Sequence, residues 1–203
     1  MKEGTTMTYF NEIVKEVAAW RKKFSGMRPK QIAEKLHLHP TGMPMGNHKG
    51  CLKGILFRSS REYTLIYNTD LDSHTQDSII MHEIAHYLRG HLKGIHIGGL
   101  EDTGVGYLRD CSERAWKEND ANYCMAEYLL DTGETLQIFR ESGYDFYATA
   151  RRLNVYSEIL DFKLRLLHKN KLLDEYRDCL NLTSDCLNKL ETENYFCGYR
   201  EDP

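Results

Sequence analysis

Two histidines and a glutamate with helical spacing are the residues of this chain best suited to chemistry. They lie in the run His82-Glu83-Ile84-Ala85-His86. Residues four apart project from the same face of a helix, so both imidazoles can bind one metal ion. Glu83 lies about 100° around the helix, where its carboxylate can take a proton from a water on that ion. The spacing predicts a metal site with a general base beside it.

The residues around the motif predict a helix that carries it. Ser73 and Gln76 fit a capping box, and Gly90 is a typical residue just after a helix end. An apolar stripe completes the pattern, formed by Ile80, Ile84, Tyr87 and Leu88. The alternative interpretation is a core helix with two partly buried histidines.

Zinc is the metal that this donor set favours. It binds neutral imidazole nitrogen, and a catalytic zinc site keeps one position open for water. We therefore expect one Zn²⁺ ion held by His82 and His86, with Glu83 as the general base.

A second helical segment, from residue 113 to residue 130, offers a third ligand. Its small apolar residues form a face suited to close packing on another helix. Glu118 and Asn122 are four apart, so Glu118 could complete a His₂Glu shell while Asn122 hydrogen-bonds a ligand. Glu113 and Asp120 remain alternative ligands, and we expect Glu127 at the surface.

His91 is five residues past His86, about 140° around the helix if the helix continued. We expect it to contact a ligand or to serve the structure rather than to bind the metal. Peptide hydrolysis also needs a donor to the developing oxyanion. The candidates, none of them favoured, are Tyr87, Tyr107, Tyr123 and His91.

Charge and composition exclude some classes of function. The net charge of −3 argues against a general binder of nucleic acid or anionic membranes, which normally carries a basic excess. The first residues have no apolar run of the signal-peptide kind, and no segment approaches about 18 apolar residues. We expect a cytoplasmic protein. The six cysteines form no CxxC pair and are expected to be free thiols, with a metal site at Cys179, Cys186 and Cys197 as a minor alternative.

Periodicity predicts the other elements. Helical patterns cover residues 9–24 and 30–36, and two β-rich runs at 51–57 and 63–67 read as a hairpin. We interpret residues 40–50 as an irregular connector, with a substrate-contacting rim as the alternative. If an edge strand of the hairpin runs beside the metal helix, an extended peptide could bind there by strand addition.

The C-terminal third is helical in pattern, with a break near Gly143. Residues of about 148–171 could form a helix-turn-helix with local basic character. Acidic residues interleave with the basic ones, so we favour a charged face on a packed subdomain over DNA binding.

These motifs together carry a family resemblance. The run from His82 to His86 followed by Gly90-His91, and the pattern Glu118-x-x-Ala121-Asn122-x-x-x-Ala126-x-x-Leu129-Leu130, resemble the ImmA/IrrE family of gluzincin-like metallopeptidases. Residues 32–36 and 150–157 extend the similarity. The resemblance implies a cytoplasmic zinc endopeptidase that cleaves a helix-turn-helix repressor, often one that silences a mobile element or a stress regulon. Family members commonly have Met-Pro after the leucines, where this chain has Asp131-Thr132.

The expected fold class is α+β. A zincin-like metallopeptidase domain, residues 1–130, has a small sheet or hairpin beside the metal helix, and a mainly helical part, residues 131–203, follows. The leading hypothesis is a zinc endopeptidase acting on a helix-turn-helix repressor. A module that grips a repressor without cutting it is the second hypothesis, and a DNA-binding regulator using residues 148–171 is the third. We expect no membrane partner and no direct binding of nucleic acid.

Overall fold

A computed structural model describes residues 3–48, 50–59, 62–92 and 111–170, and the statements below concern that part of the chain. It contains a small three-stranded sheet and seven helices, which confirms the α+β class. The helices are α1 (Glu3–Lys23), α2 (Pro29–Lys35), α3 (Ser73–Leu88), α4 (Cys111–Leu129), α5 (Thr132–Glu141), α6 (Phe146–Leu153) and α7 (Ser157–Lys169). The strands are β1 (Thr41–Met43), β2 (Gly54–Ser59) and β3 (Glu62–Asn68).

The predicted hairpin is the core of the sheet, and a third strand joins it. Strands β2 and β3 pair antiparallel, with Leu56 opposite Leu65, and both of these side chains are fully buried. Strand β1 pairs parallel with β3 and gives the order β1-β3-β2. The prediction of a wholly irregular connector at residues 40–50 is therefore wrong at residues 41–43. Gly42 permits the strand there, because a Cβ would meet Thr69 Cγ2 at 2.6 Å.

Helix α3 begins as predicted, but with a different cap. Its N-cap is Asp72, whose carboxylate accepts hydrogen bonds from the backbone N–H groups of His74 and Thr75. The predicted capping box of Ser73 and Gln76 is wrong, because the Gln76 amide donates instead to the carbonyl of Leu71 at 2.6 Å. An aspartate immediately before the helix accepts these N–H groups well, so the serine is not needed as a cap.

Helix α3 lies against β2 on one side and α4 on the other. The contact with β2 depends on Gly54, where a Cβ would come within 2.3 Å of Ile79 Cγ2 and 3.8 Å of Glu83 Oε1. The contact with α4 uses small buried residues, Ala85 from α3 and Ala121 and Cys124 from α4. Both contacts bring backbones close together, and they place the motif between the sheet and α4.

Helix α1 covers the far side of α4. Phe10, Ile13 and Val17 pack in one cluster with Ala85 and with Leu166 of α7. Arg21 extends from α1 to the end of α4 and donates to the backbone carbonyls of residues 127 and 128 at 2.6 and 3.1 Å. The predicted first amphipathic helix is thus part of the core.

The C-terminal helices continue the same core. Asp131 and Asp145 cap α5 and α6 with side-chain hydrogen bonds, and Asn154 ends α6 in the left-handed conformation. Helices α6 and α7 are joined by three residues. The helix-turn-helix character predicted near 148–171 stays a prediction. Much of α7 is buried against α4, however, including Lys163. The predicted division of the chain at residue 130 stays a prediction.

A buried ion pair joins α4 and α7. Lys163 Nζ donates to Glu127 Oε2 at 2.6 Å and to Thr132 Oγ1 at 2.9 Å, and the lysine side chain is fully buried. Burial lowers the pKa of Lys163, and the charge of Glu127 opposes that shift. The expectation of a surface Glu127 is wrong, because its carboxylate is buried in an ion pair with Lys163.

No helix in the described ranges combines the length and the apolar character that a membrane span requires.

The close contact at Gly54 implies that a side chain at this position would destabilise the fold. We expect Gly54→Ala to lower the free energy of unfolding by about 1–3 kcal/mol, because the added methyl group overlaps Ile79 Cγ2. Adding Ile79→Ala removes that methyl group, so the double variant should lose less than the sum of the single changes. Urea denaturation measures this coupling, and strict additivity would contradict the proposed overlap.

The buried pair of Lys163 and Glu127 implies that removing one charge alone would destabilise the fold. Lys163→Met leaves the Glu127 carboxylate buried without its cation and should cost about 3–5 kcal/mol of unfolding free energy. Adding Glu127→Leu should recover part of the loss, because no buried charge then remains. Glu141→Gln is the matched control, since the Glu141–Arg152 pair is exposed, and it should leave the urea midpoint unchanged. Equal effects of Lys163→Met and Glu141→Gln would contradict a buried pair.

Candidate metal centre

Three side chains from two helices converge on one point. His82 and His86 come from α3, and Glu118 comes from the facing side of α4. The two Nε2 atoms of the histidines lie 2.9 Å apart. Glu118 Oε2 lies 3.2 Å from Nε2 of His82 and 3.5 Å from Nε2 of His86. The structure therefore brings together the three residues that sequence spacing predicted as ligands.

These separations fit a tetrahedral metal. With metal–ligand distances of about 2.0–2.1 Å, the ligand atoms of a tetrahedral shell lie about 3.3 Å apart. The observed separations of 2.9–3.5 Å bracket that value. Two imidazoles and one carboxylate are also the His₂Glu donor set of known catalytic zinc sites, which leave a fourth position for water.

The group is partly exposed on one side in the described part of the chain. The side chain of His86 is 1% exposed, whereas His82 and Glu118 are 19% and 28% exposed. A substrate or water can therefore approach along the side of His82 and Glu118.

The surroundings of His86 and Glu118 favour the protonation states that a metal needs. Burial lowers the pKa of His86 to about 4, so its imidazole is neutral at neutral pH. Burial alone would raise the pKa of Glu118, but hydrogen bonds from the two imidazoles outweigh it and hold that pKa well below its ordinary value. Neutral imidazole and ionised carboxylate are the forms that bind zinc.

Glu83 points toward the sheet side of α3. Its side chain is 6% exposed, and its Oε1 lies 3.8 Å from the position that a Cβ of residue 54 would occupy. The carboxylate is thus next to His82 in the chain and next to the start of β2 in space.

His91 contacts a ligand through the end of α3. Gly90, with φ of +70°, follows the C-cap Arg89, and the N–H of His91 donates to the carbonyl of His86 at 3.0 Å. The N–H of Gly90 donates to the carbonyl of Tyr87, which completes a Schellman motif. The motif folds the chain back, so Nδ1 of His91 lies 3.0 Å from Nδ1 of His86.

Asp120 lies behind His91 and is fully buried. Its Oδ2 is 2.6 Å from Nε of Arg89 and 3.0 Å from Nε2 of His91. Its Oδ1 accepts from Tyr9 Oη at 2.5 Å and from Nη2 of Arg89 at 3.0 Å. Burial raises the pKa of Asp120, but hydrogen bonds from its partners outweigh burial and lower that pKa to about 2. These contacts occupy the carboxylate, so Asp120 is not available as the alternative third ligand.

The other predicted residues have mixed outcomes. No hydrogen bond within the described part of the chain joins Asn122 to a residue of the ligand group, and its predicted role stays a prediction. Tyr87 packs edge-on against Tyr63, and Tyr123 packs between Phe10 and Phe162, so both rings belong to the core. The side chain of Glu113, all of Tyr107, and Cys179, Cys186 and Cys197 lie outside the described residues. Cys51 and Cys124 are free thiols, as expected.

Comparison with known proteins agrees with this geometry. Residues 33–165, about two thirds of the chain, match the family model for M78 peptidases, described as the IrrE N-terminal-like domain. The chain belongs to this family. The resemblance to ImmA/IrrE proteins is therefore confirmed, and the M78 family places the chain among metallopeptidases. No curated protein matches the chain at a significant level. The match begins after α1, so Tyr9 lies outside the M78 region.

The geometry predicts one zinc ion per chain. We expect His86→Ala and Glu118→Gln each to weaken zinc binding by more than about 100-fold, beyond the usual effect of residues that only contact a ligand. Chelator competition measures the dissociation constant, and elemental analysis gives the stoichiometry. Glu34→Gln, an exposed carboxylate on α2, should leave both unchanged. Zinc binding by Glu118→Gln at wild-type strength would exclude Glu118 as a ligand.

Proposed function

We propose that this M78 protein is a zinc endopeptidase in which His82, His86 and Glu118 hold the metal and Glu83 is the general base. One observation carries the proposal: a three-residue donor set of tetrahedral dimensions is partly exposed, and a buried carboxylate, Glu83, follows the first donor directly in α3. That combination supports hydrolysis better than it supports a structural metal, whose four protein ligands close the site.

The metal would supply one part of the chemistry. When bound, zinc acts as a Lewis acid on the scissile carbonyl and lowers the pKa of water toward about 7. His82, His86 and Glu118 orient it, and the burial of His86 keeps solvent from one side of the group.

Glu83 supplies the proton transfer. Its carboxylate takes a proton from the attacking water and passes it to the nitrogen of the departing amine, so one residue serves as base and then as acid. The side chain lies near the first residue of β2, with its Oε1 3.8 Å from the position that a Cβ of Gly54 would occupy. The proposed mechanism thus depends on how closely α3 approaches the sheet.

The substrate would bind along β2. This strand pairs with β3 on one edge, and no described strand pairs with its other edge. An extended peptide added to that free edge would run beside Glu83, with its backbone held by strand hydrogen bonds. Backbone recognition of this kind suits an endopeptidase.

The proposed substrate is a helix-turn-helix transcriptional repressor, whose cleavage would derepress a mobile element or a stress regulon. The resemblance to the ImmA/IrrE family supports this substrate class. Cleavage would require a flexible or partly unfolded segment of the repressor, because strand addition needs an extended backbone.

Glu83→Gln tests the proposal directly. We expect this variant to bind one zinc ion with wild-type affinity and to cleave about 100- to 10,000-fold more slowly, because the amide cannot accept the proton of water. The assay is intact-mass analysis of a helix-turn-helix repressor, encoded beside this gene if one is, after incubation with zinc-loaded protein. Glu34→Gln serves as the control.

Two outcomes would contradict the mechanism. Wild-type cleavage by Glu83→Gln would remove Glu83 as the base. A repressor that stays full length with both proteins but forms a stable complex with each would favour the module that binds without cutting.

A further inference from the structure

We propose that Asp120 is a positioning residue of the metal centre, acting on His86 through His91, and that α1 holds Asp120 in place through Tyr9. The inference rests on the proposed ligand set. It adds a chain of contacts from the N-terminal helix to the metal, and that helix lies before the region matched by the M78 family model.

The first step is the tautomer of His86. Its Nε2 faces the ligand group, and its Nδ1 lies 3.0 Å from Nδ1 of His91. Binding a metal through Nε2 leaves the proton of the neutral ring on Nδ1, which then donates to His91. His91 must accept at its own Nδ1, so its proton is on Nε2.

The second step is the acceptor for that proton. Nε2 of His91 lies 3.0 Å from Oδ2 of Asp120, a buried carboxylate. The distances fit one proton arrangement, in which the proton of each ring lies on the side away from the metal. The contact between His91 and Asp120 has the distance of an ion pair but not the geometry of a hydrogen bond. A carboxylate at the end of such a chain fixes the orientation of the ligating ring and increases its basicity.

The third step is the support of Asp120 itself. Arg89 binds both carboxylate oxygens and is held in turn by Glu16 of α1, with Nη1 of Arg89 2.6 Å from Oε2 of Glu16. Tyr9 of α1 donates to Oδ1 at 2.5 Å. Its hydroxyl keeps its proton, because burial and the nearby Asp120 raise the pKa of Tyr9. Helix α1 thus reaches both members of the Asp120–Arg89 pair.

Zinc affinity and the visible spectrum of the cobalt-substituted protein test this arrangement without any substrate. We expect Asp120→Asn to weaken zinc binding by about 10- to 100-fold and to change the cobalt spectrum, because the His86 ring loses its orientation. Tyr9→Phe should act in the same direction and by less, since Asp120 keeps its other partners. The probes are zinc and cobalt ions alone, added to the full chain.

Matched controls separate positioning from general stability. Asp161→Asn is the control for Asp120→Asn, because it removes the carboxylate of a different ion pair, the one with Arg165. Tyr128→Phe is the control for Tyr9→Phe, because it removes the hydroxyl of a tyrosine on α4. Among the described contacts, neither residue touches Asp120 or its partners Tyr9, Arg89 and His91. Both variants should therefore bind zinc as the wild type does. Circular dichroism of the metal-free proteins checks that each variant is folded.

The result that would overturn the proposal is wild-type zinc affinity and an unchanged cobalt spectrum in folded Asp120→Asn. If that variant does not fold, Tyr9→Phe decides the question by the same two measurements. This test does not depend on proteolysis, since loss of zinc affinity in Asp120→Asn supports the positioning role even if no repressor is cut. Glu83→Gln, which tests the protease mechanism, leaves the contacts from Asp120 to His86 unchanged.

Discussion

Helix α3 is held between two surfaces that it approaches unusually closely, and each approach depends on small residues. On the sheet side, the absence of a side chain at Gly54 admits Ile79. On the other side, the small buried residues Ala85 and Ala121 belong to the same cluster at the contact with α4. Side chains reaching from α3 and α4 can converge only if the helix backbones are near each other, so the donor set depends on these contacts. The free energy comes from apolar burial in the surrounding core, while the small residues set the distance.

Local patterns predicted most of the elements and the three donors. The 3.6-residue period identified α1, α3 and α4, and the His-Glu-x-x-His spacing fixed which face of α3 carries the imidazoles. Glu118 followed from the chemistry of zinc and from its place on a helix with a small-residue face. Such inferences can be drawn from sequence because the periodicity of a helix and the ligand preferences of a metal are both properties of short segments.

What the sequence did not reveal are the pairings between distant segments. Strand β1 forms because β3 offers it a parallel edge, and the burial of Glu127 follows from Lys163, which lies 36 residues further along. Asp120 was considered as a ligand, whereas its real partners come from α1 and from the end of α3. A signal for His91 was present: Gly90 after a helix end implies a Schellman motif, which brings the residue after the glycine back onto the last turn.

Helix α1 packs in the core of the fold but lies outside the region matched by the family model. The family match covers residues 33–165, yet Phe10, Ile13 and Val17 pack in the core with residues of α4 and α7. A protein expressed from residue 33 onward would present to water an apolar surface that includes Ala121 and Leu166. Such a surface invites self-association. For this chain, the folded core includes a helix, α1, that lies before the residues matched by the family model.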